Sequence, residues 1–282
     1  MKRLHTNFLD FFNYVRYHFF GVRIIQGSPI GYRIWALNRI FKVIFLGRKK
    51  SENYLYPNDI MVRNKFGNFF VPSNSDMILT LSTKFEFDLI HHFKVMPNAI
   101  FLDIGANAGK YSILVSNNSK NSVVYSFEPS PSTFNNLKTN IHLNNLQNVK
   151  ALNIGLSDYE GNLQFANSKT KTGLSHVVQQ GEKTDFNSYE IATVNVSTLD
   201  LVIKNYNIDS SKIDLIKIDV EGHEFHVLKG AKHTLKVVLP MTRILIEVNK
   251  ETSDSSPIIE FVRDLGFSVK RLNDEYFLFT KS

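Results

Sequence analysis

The sequence predicts an α/β fold in which a mostly parallel sheet is covered by helices on both faces. From residue 99 onward, five short apolar runs each lead into an acid or an amide. Stretches of helical character separate most of these runs, which is the pattern of parallel strands joined by helical crossovers. Two short runs at the end, "FSVKRL" and "EYFLFTK", predict a closing C-terminal antiparallel hairpin.

The other elements follow in chain order. We expect residues 1–75 to form a separate N-terminal part and residues 76–282 to form the catalytic domain. Two short helices are predicted around the break in "QGSPIG", followed by a hairpin in "IMVRNKFGNFFVPS" and a helix over residues 77–95. The core strands are "AIFLDIG", "SVVYSFEP", "VKALNIGLSD", "IDLIKIDVEG" and "RILIEVN", with an extra strand pair, "GNLQFAN" and "ATVNVSTLD", between the third and the fourth.

Composition excludes several kinds of protein. The 282 residues contain no cysteine, so disulfides, thiolate zinc sites and a cysteine nucleophile are excluded. No apolar run approaches the roughly 18 residues that span a bilayer. The N-terminus lacks the pattern of a cleaved signal, and we therefore expect a cytoplasmic protein.

Positive charge is concentrated at the N-terminus. Residues 1–50 hold ten Lys/Arg and one acid, giving +9, whereas the whole chain carries +7, so the remainder sums to −2. We therefore expect no nucleic-acid partner. On a helix starting at Ile34, one face would hold Ile34, Leu37, Ile40, Phe41, Ile44 and Phe45, with Arg39 and Lys42 largely opposite. Two alternatives remain: this segment makes peripheral contact with an anionic membrane, or its apolar face packs on the catalytic domain.

The stretch "FLDIGANAGKYS" reads as a buried strand, a glycine turn and the start of a helix. Such turns lie at the carboxyl ends of the strands, where the sheet binds its ligands. A dinucleotide motif would carry a second glycine at Asn107, and its absence argues against a pyrophosphate lying on the backbone. The spacing Asp103-x-Gly105-x-x-x-Gly109 therefore predicts a different nucleoside cofactor.

The acids that end the next strands identify that cofactor. Glu128 lies 23 residues after Gly105, where an acid accepts the ribose hydroxyls and repels a 2′-phosphate. Asp158 follows the third strand and is expected at the adenine amino group. Ribose and adenine without a phosphate predict S-adenosyl-L-methionine. The predicted cofactor-binding residues are Asp103, Gly105, Ala106, Asn107, Gly109, Glu128, Pro129, Ser157 and Asp158.

The residues on the acceptor side of the site, where the molecule that receives the methyl group would bind, are predicted from the fourth core strand. Asp219 and Glu221 would share one face of an extended chain, so we expect both in the active site. Asp219 is the first candidate for the base or orienting group, with Glu221 or His223 behind it. Lys217 alternates onto the same face as a salt-bridge partner. The alternative is that one of the acids caps the following helix. Asp219, Glu247 and Asn249 offer oxygen ligands for a divalent cation, but the pattern is too common to predict a metal site.

Several of these segments, in order and spacing, resemble the FkbM-type methyltransferases. They are "FLDIGANAGKYS", "YSFEPSPSTFNNLKTNIHLNN", "LSDYEGN", "STLDLVI", "IDLIKIDVEGHEFHVLKGA" and "ILIEVN". The resemblance covers about residues 80–280 and does not reach residues 1–75. It implies the seven-stranded class I, Rossmann-like methyltransferase fold and O-methyl transfer to sugar or polyketide hydroxyls. Position 223, commonly small in the family, is histidine here, so no role for His223 is implied.

Together these observations predict an S-adenosylmethionine-dependent O-methyltransferase that acts on a hydroxyl of a sugar, glycan or related natural product. A lipid-linked acceptor would suit the basic N-terminus. Two rival interpretations remain open. One is an NAD-dependent oxidoreductase on a Rossmann sheet, and the other is a non-catalytic membrane-associated protein with a methyltransferase-like fold.

Overall fold

A computed structural model describes residues 23–46, 55–82, 86–119, 121–178, 181, 184–248 and 254–282. The first predicted helix lies outside these residues. The described residues fall into two compact units. One comprises the residues up to His92 together with Lys169–Thr172, and the other comprises Phe93–Ser168 together with Gly173–Ser282. The division of the chain into domains at residues 75 and 76 stays a prediction.

The N-terminal unit contains a small antiparallel sheet and one long helix. Its elements are β1 (Arg23–Gln26), α1 (Pro29–Leu46), β2 (Ile60–Arg63), β3 (Asn68–Val71), α2 (Met77–Thr80) and a 3-10 helix (Phe87–Phe93). The hairpin of β2 and β3 is confirmed, and the Asn64 side chain accepts the Phe66 and Gly67 amides inside its turn. The continuous helix predicted over residues 77–95 is wrong. Among the described residues of this stretch, only α2 and the 3-10 helix form, and Glu86 adopts a left-handed φ of 53° just before the second.

Helix α1 buries a different face from the one predicted. Tyr32, Trp35 and Ile40 are buried, and the rings of Tyr32 and Trp35 pack around Tyr56. Arg39, expected on the solvated side, is buried instead and lies 5.5 Å from the Trp35 ring centroid. The placement of Arg39 was wrong because Tyr32 and Trp35, on its side of the helix, form the core of this unit. The choice between the two alternatives for the predicted apolar face stays open. Ile34, Leu37 and Phe41 are left exposed; the side chains of Ile44 and Phe45 lie outside the described part.

In chain order, the elements from residue 100 onward are β4 (Ile100–Ile104), α3 (Lys110–Asn118), β5 (Val123–Phe127), α4 (Pro131–Leu143), β6 (Val149–Leu152), β7 (Gly155–Leu156), β8 (Gly161–Ser168), a 3-10 helix (Thr172–Leu174), β9 (His176–Val177), β10 (Tyr189–Ser197), α5 (Leu199–Asn205), a 3-10 helix (Ser210–Lys212), β11 (Ile213–Ile218), α6 (Glu224–Gly230), α7 (Lys232–Val237), β12 (Arg243–Glu247), α8 (Ser255–Asp264), β13 (Phe267–Arg271) and β14 (Tyr276–Lys281).

The main sheet has seven strands in the order β13-β14-β12-β11-β4-β5-β6. The pairs from β12 through β6 are parallel, while β14 runs antiparallel to both of its neighbours, which confirms the predicted fold and its closing hairpin. The chain leaves β4 toward β5 and β6 and later returns to β11 on the other side. Strand order therefore reverses between β4 and β11, which is where open α/β sheets bind their ligands.

A second sheet of four strands, in the order β7-β10-β8-β9, contains the predicted extra strand pair. The predicted third core strand is split between the two sheets. β6 ends at Leu152, and Gly155–Leu156 pairs with β10 instead. The Asn153 side chain donates to the carbonyl oxygens of Glu128 and Pro129, each at 2.9 Å, and so occupies the place where the ladder would continue. Asp158 thus follows a strand of the smaller sheet, and its predicted place at the end of a core strand was wrong.

Candidate active site

The glycine turn after β4 lies against the end of β11. Gly105 has a left-handed φ of 75°, and a Cβ there would lie 1.8 Å from the carbonyl oxygen of Asp219. At Gly109, with φ 86°, a Cβ would lie 2.5 Å from Leu137 Cδ1. Asn107 also has a positive φ of 49°, which asparagine tolerates better than most residues. Glycines are therefore required here by backbone conformation and by close approach.

Glu128, which follows β5, holds this turn in place. Its Oε2 accepts the backbone N–H of Asn107 and its Oε1 accepts that of Ser130, each at 3.0 Å. The side chain is buried, and burial raises the pKa of Glu128 to about 7. Since each carboxylate oxygen has two lone pairs, the group can still accept hydrogen bonds from a ligand.

Buried oxygens around the turn match a ligand that donates hydrogen bonds. Asp103 Oδ1 and Asn107 Oδ1 are buried and accept no hydrogen bond within the described part of the chain. Asp103 Oδ2 accepts from Ser112 Oγ at 2.5 Å, and Ser112 is in turn 2.7 Å from Ser126 Oγ. Burial raises the pKa of Asp103. S-adenosylmethionine carries amino and hydroxyl donors, so these residues fit it.

Lys217 neutralises part of this acidic site. Its Nζ lies 2.9 Å from Asp219 Oδ2, 3.4 Å from the carbonyl oxygen of Gly105 and 3.9 Å from Asp103 Oδ1. The ammonium also lies 5.5 Å from the Tyr111 ring centroid. Burial alone would lower the pKa of Lys217, but the charges of Asp219 and Asp103 raise it above its ordinary value. The predicted salt bridge is confirmed, and Lys217 is charged.

Asp219 and Glu221 come close to each other through a turn and not through strand alternation. β11 ends at Ile218, and Glu221 and Gly222 have positive φ values of 50° and 100°. The extended geometry used to predict a shared face therefore stops before Glu221. Burial is the main cause that raises the pKa of Glu221 to about 8, and the negative charges of Asp219 and Glu224 act in the same direction. Glu224 accepts the Gly222 amide at 2.8 Å, so it is Glu224 that holds the start of α6.

His223 belongs to a separate hydrogen-bonded cluster around Asp158. Its Nε2 lies 2.9 Å from Ser157 Oγ, and its ring stacks on that of His226 with centroids 4.5 Å apart. Burial and the neighbouring His226 lower the pKa of His223 to about 4, so the ring is neutral at pH 7. Asp158 contacts His226 Nδ1 at 3.1 Å and Lys229 Nζ at 2.7 Å. Although burial acts to raise it, these hydrogen bonds lower the pKa of Asp158 below its usual range.

The oxygen set considered for a divalent cation is only partly described. Glu247 accepts the Tyr276 hydroxyl, and Asn249 lies outside the described residues. Among the residues that the structure does describe, no group of three or more His, Asp and Glu side chains is arranged to hold a metal ion.

Three contributors to the site were missed in the sequence. Ser112 and Ser126 connect Asp103 to α3 and β5, and nothing distinguishes them from other serines in an apolar run. Gly230 ends α6, and a Cβ there would lie 1.9 Å from the carbonyl oxygen of Ser157. A glycine at the end of a helix usually indicates a cap, so its role in helix packing gave no separate signal.

The fold and the turn define a nucleoside-cofactor enzyme of the doubly wound α/β class, with its site at the reversal between β4 and β11. Residues 103–269 match the methyltransferase FkbM domain, and the chain belongs to this family.

Two curated relatives agree with this assignment. The chain is 30% identical over 203 residues to methyltransferase sdnD of Sordaria araneosa, covering 64% of this chain and 77% of that protein. It is 26% identical over 191 residues to the hexuronic acid methyltransferase AglP of Haloferax volcanii, covering 62% of this chain and 72% of that protein. A solved structure, precorrin-6y C5,15-methyltransferase from Geobacter metallireducens, aligns with a TM-score of 0.44 at 13% identity, over 71% of this chain and 89% of that one.

The predicted family and cofactor are thus confirmed: the protein is a methyltransferase that uses S-adenosylmethionine. Family membership does not favour the oxidoreductase alternative. The individual site residues stay predictions.

Proposed function

We propose that the protein transfers a methyl group to a hydroxyl of a sugar, glycan or related natural product. One observation carries this proposal: two carboxylates, Asp219 and Glu221, follow β11, and the Asp219 carbonyl packs against the glycine turn. A hydroxyl acceptor needs a base as its oxygen attacks, whereas a carboxylate acceptor would be repelled by these acids. One relative is named for hexuronic acid, a sugar that carries both hydroxyls and a carboxylate, so its name supports the sugar class and does not identify the methylated atom.

When bound, S-adenosylmethionine supplies a methyl carbon that its sulfonium has already made electrophilic. The task of the chain is therefore to align the acceptor oxygen and to take its proton. Glu221 is suited to the role of base, because burial and its acidic neighbours raise its pKa to about 8. Asp219 is held by Lys217 at 2.9 Å and is suited to orienting the acceptor hydroxyl.

His223 is less suited to the role of base, although it was among the predicted catalytic residues. Its Nε2 is already hydrogen-bonded to Ser157, and its low pKa makes it a poor proton acceptor at pH 7. We propose that His223 positions Ser157 and, through it, the turn that carries Asp158.

On the cofactor side, we propose that Glu128 accepts the ribose hydroxyls, since its Oε2 lies at the glycine turn and both its oxygens are already oriented by backbone N–H groups. Ser157 and Asp158 are proposed to contact the adenine. The two Asp158 oxygens are engaged by His226 and Lys229, so Ser157 and the backbone of this turn are the better placed donors and acceptors.

The enzyme is further proposed to work in the cytoplasm, with residues 1–50 in peripheral contact with an anionic membrane that presents a lipid-linked acceptor. The charge of +9 in these residues, against −2 in the rest of the chain, supports this contact.

The test is incubation with methyl-labelled S-adenosylmethionine and either glycan or lipid-linked glycan extracts, followed by mass analysis of labelled products. We expect label as a methyl ether on a sugar hydroxyl. Label recovered as an alkali-labile methyl ester, or on nitrogen, would contradict hydroxyl transfer. Binding of S-adenosylhomocysteine in a thermal-shift assay is the control that the protein is folded and competent for its cofactor.

A further inference from the structure

Helix α1 has two apolar faces, and within the described part of the chain only one of them packs into the core of its unit. Tyr32, Trp35 and Ile40 lie on the buried face. On the opposite side, Ile30 is 73% exposed, Ile34 56% and Leu37 58%. We call these three residues the outer stripe. Phe41, 61% exposed, continues the same line one turn further on.

The spacing makes the outer stripe one continuous surface. Ile30, Ile34 and Leu37 lie at positions i, i+4 and i+7, which fall within about 60° on a helix of 3.6 residues per turn. Isolated exposed apolar side chains are ordinary, but an aligned row of them is typical of an interaction surface.

Polar and basic residues border the stripe on both sides. Arg33 is exposed along one edge, and Asn38 and the partly exposed Lys42 lie along the other. Arg23 is exposed in β1, the strand that leads into the helix. A row of apolar side chains bordered by cations is the arrangement with which a helix lies in a membrane interface, the apolar groups below the headgroups and the cations among them.

We infer that the outer stripe of α1 docks flat on an anionic membrane surface, with Arg33 and Lys42 contacting the lipid headgroups. Charge complementarity selects this occupant, because the stripe lies within the fifty residues that carry +9. The helix lies on the surface and does not cross it, since no helix in the described ranges is long and apolar enough to span a bilayer. The inference gives a defined surface to the proposed membrane contact and does not depend on methyl transfer.

Vesicle flotation of the full-length chain tests the surface. We expect the protein to float with vesicles of phosphatidylcholine containing about 30% phosphatidylserine, to stay behind with phosphatidylcholine alone, and to be released by high salt. Ile34→Glu combined with Leu37→Glu should weaken flotation at least about tenfold.

The matched control is Leu239→Glu combined with Met241→Glu. These residues are 52% and 70% exposed and lie in the other unit. Both double variants change the net charge equally, so a loss confined to the first pair assigns binding to the stripe. Equal loss in the two variants, or equal recovery with neutral and anionic vesicles, would overturn the inference.

A reporter separates the membrane from other occupants. Because the chain has no cysteine, Leu37→Cys can carry an environment-sensitive dye as its single label, with Leu239→Cys as the control. We expect a blue shift at position 37 only when anionic vesicles are added. A shift that instead follows protein concentration would assign the stripe to a second copy. If the dye is already blue-shifted and shielded from iodide without vesicles, another segment of the same chain covers the stripe. A shift that follows protein concentration and a dye shielded without vesicles would each overturn the inference.

The thermal shift with S-adenosylhomocysteine is recorded for every variant. Wild-type shifts show that the variants are folded. A chain that binds vesicles but shows no shift would count against the cofactor assignment and leave the docking surface intact.

Discussion

Lys217 places its ammonium 2.9 Å from the carboxylate of Asp219, and the lysine itself is only 2% exposed. In the sheet, Lys217 of β11 pairs directly with Asp103 of β4, which in turn pairs with Ser126 of β5. The ammonium therefore sits where strand order reverses, between the strand that begins the cofactor turn and the strand that leads to the acceptor side. It holds two acids in place at once.

Replacing Lys217 with methionine should destabilise the fold more than an ordinary charge deletion. Asp103 would lose its cationic neighbour while remaining buried, and breaking a buried ion pair by removing one partner costs about 3–5 kcal/mol. Chemical denaturation of Lys217→Met measures the change in the free energy of unfolding. Adding Asp103→Asn to the same chain should recover part of the loss, because the uncompensated charge is then removed. No recovery in the double variant would mean that Lys217 stabilises by packing alone.

The glycine turn gives a graded prediction. Gly105→Ala places its Cβ 1.8 Å from a backbone carbonyl at φ 75°, so we expect a loss of about 3–5 kcal/mol in stability and no measurable binding of S-adenosylhomocysteine. Gly109→Ala meets only the end of the Leu137 side chain at 2.5 Å and should cost less, although φ 86° still strains it. Gly173→Ala, which meets nothing within 4 Å, is the neutral control. Calorimetry and thermal unfolding of the three should reproduce this order, and equal effects at positions 105 and 173 would contradict it.

The strands and the turn could be predicted because burial on both faces leaves a strong sequence pattern. The runs that form β5 and β11 are mostly apolar and are followed at once by Glu128 and Asp219, while Asp103 lies within the apolar run of β4, next to the glycine turn. What could not be predicted depends on tertiary contacts. The third strand is divided because Asn153 bonds to the backbone after β5, and no local signal shows this.

The same limit applies to the faces of α1 and to the acceptor side. In α1 both faces are apolar in sequence, and only the packing of Trp35 against Tyr56 decides which of them is buried. After β11 the chain turns left-handed at Glu221, so the strand alternation from which Asp219 and Glu221 were predicted to share a face is not present. The catalytic roles of both acids stay predictions.

Binding of S-adenosylhomocysteine should tighten as pH rises through about 7. Burial raises the pKa of Glu128 from 4.5 to about 7, and its ionised form accepts the ribose hydroxyls best. Affinity should therefore fall by up to about tenfold per pH unit below 7. Calorimetry between about pH 6 and about pH 8 measures this slope, and Glu128→Gln should flatten it. Glu190→Gln, at an exposed position of β10, is the matched control and should keep it.

The unliganded protein should respond to pH in the opposite direction. Between pH 4.5 and about 7, the folded state holds the Glu128 proton more tightly than the unfolded chain does, so this group contributes stability that is lost as pH rises across that window. An affinity for S-adenosylhomocysteine that is independent of pH would remove Glu128 from ribose binding and leave it as the group that holds the turn.

The assignment of the base is tested by the pH dependence of turnover. If Glu221 takes the acceptor proton, turnover should rise with pH and level off above about 8, because only the ionised carboxylate accepts a proton. Glu221→Gln should lower turnover by about 100-fold and abolish the rise.

Asp219→Asn should also lower turnover, but with a distinct signature. It removes a negative charge that raises the pKa of Glu221, so the midpoint of the pH profile should move to lower pH while cofactor affinity stays within a few-fold. Initial rates of labelled methyl transfer into the acceptor extract, taken across the pH range, distinguish the two acids. A Glu221→Gln enzyme with an unchanged pH profile would contradict the assignment of Glu221 as the base.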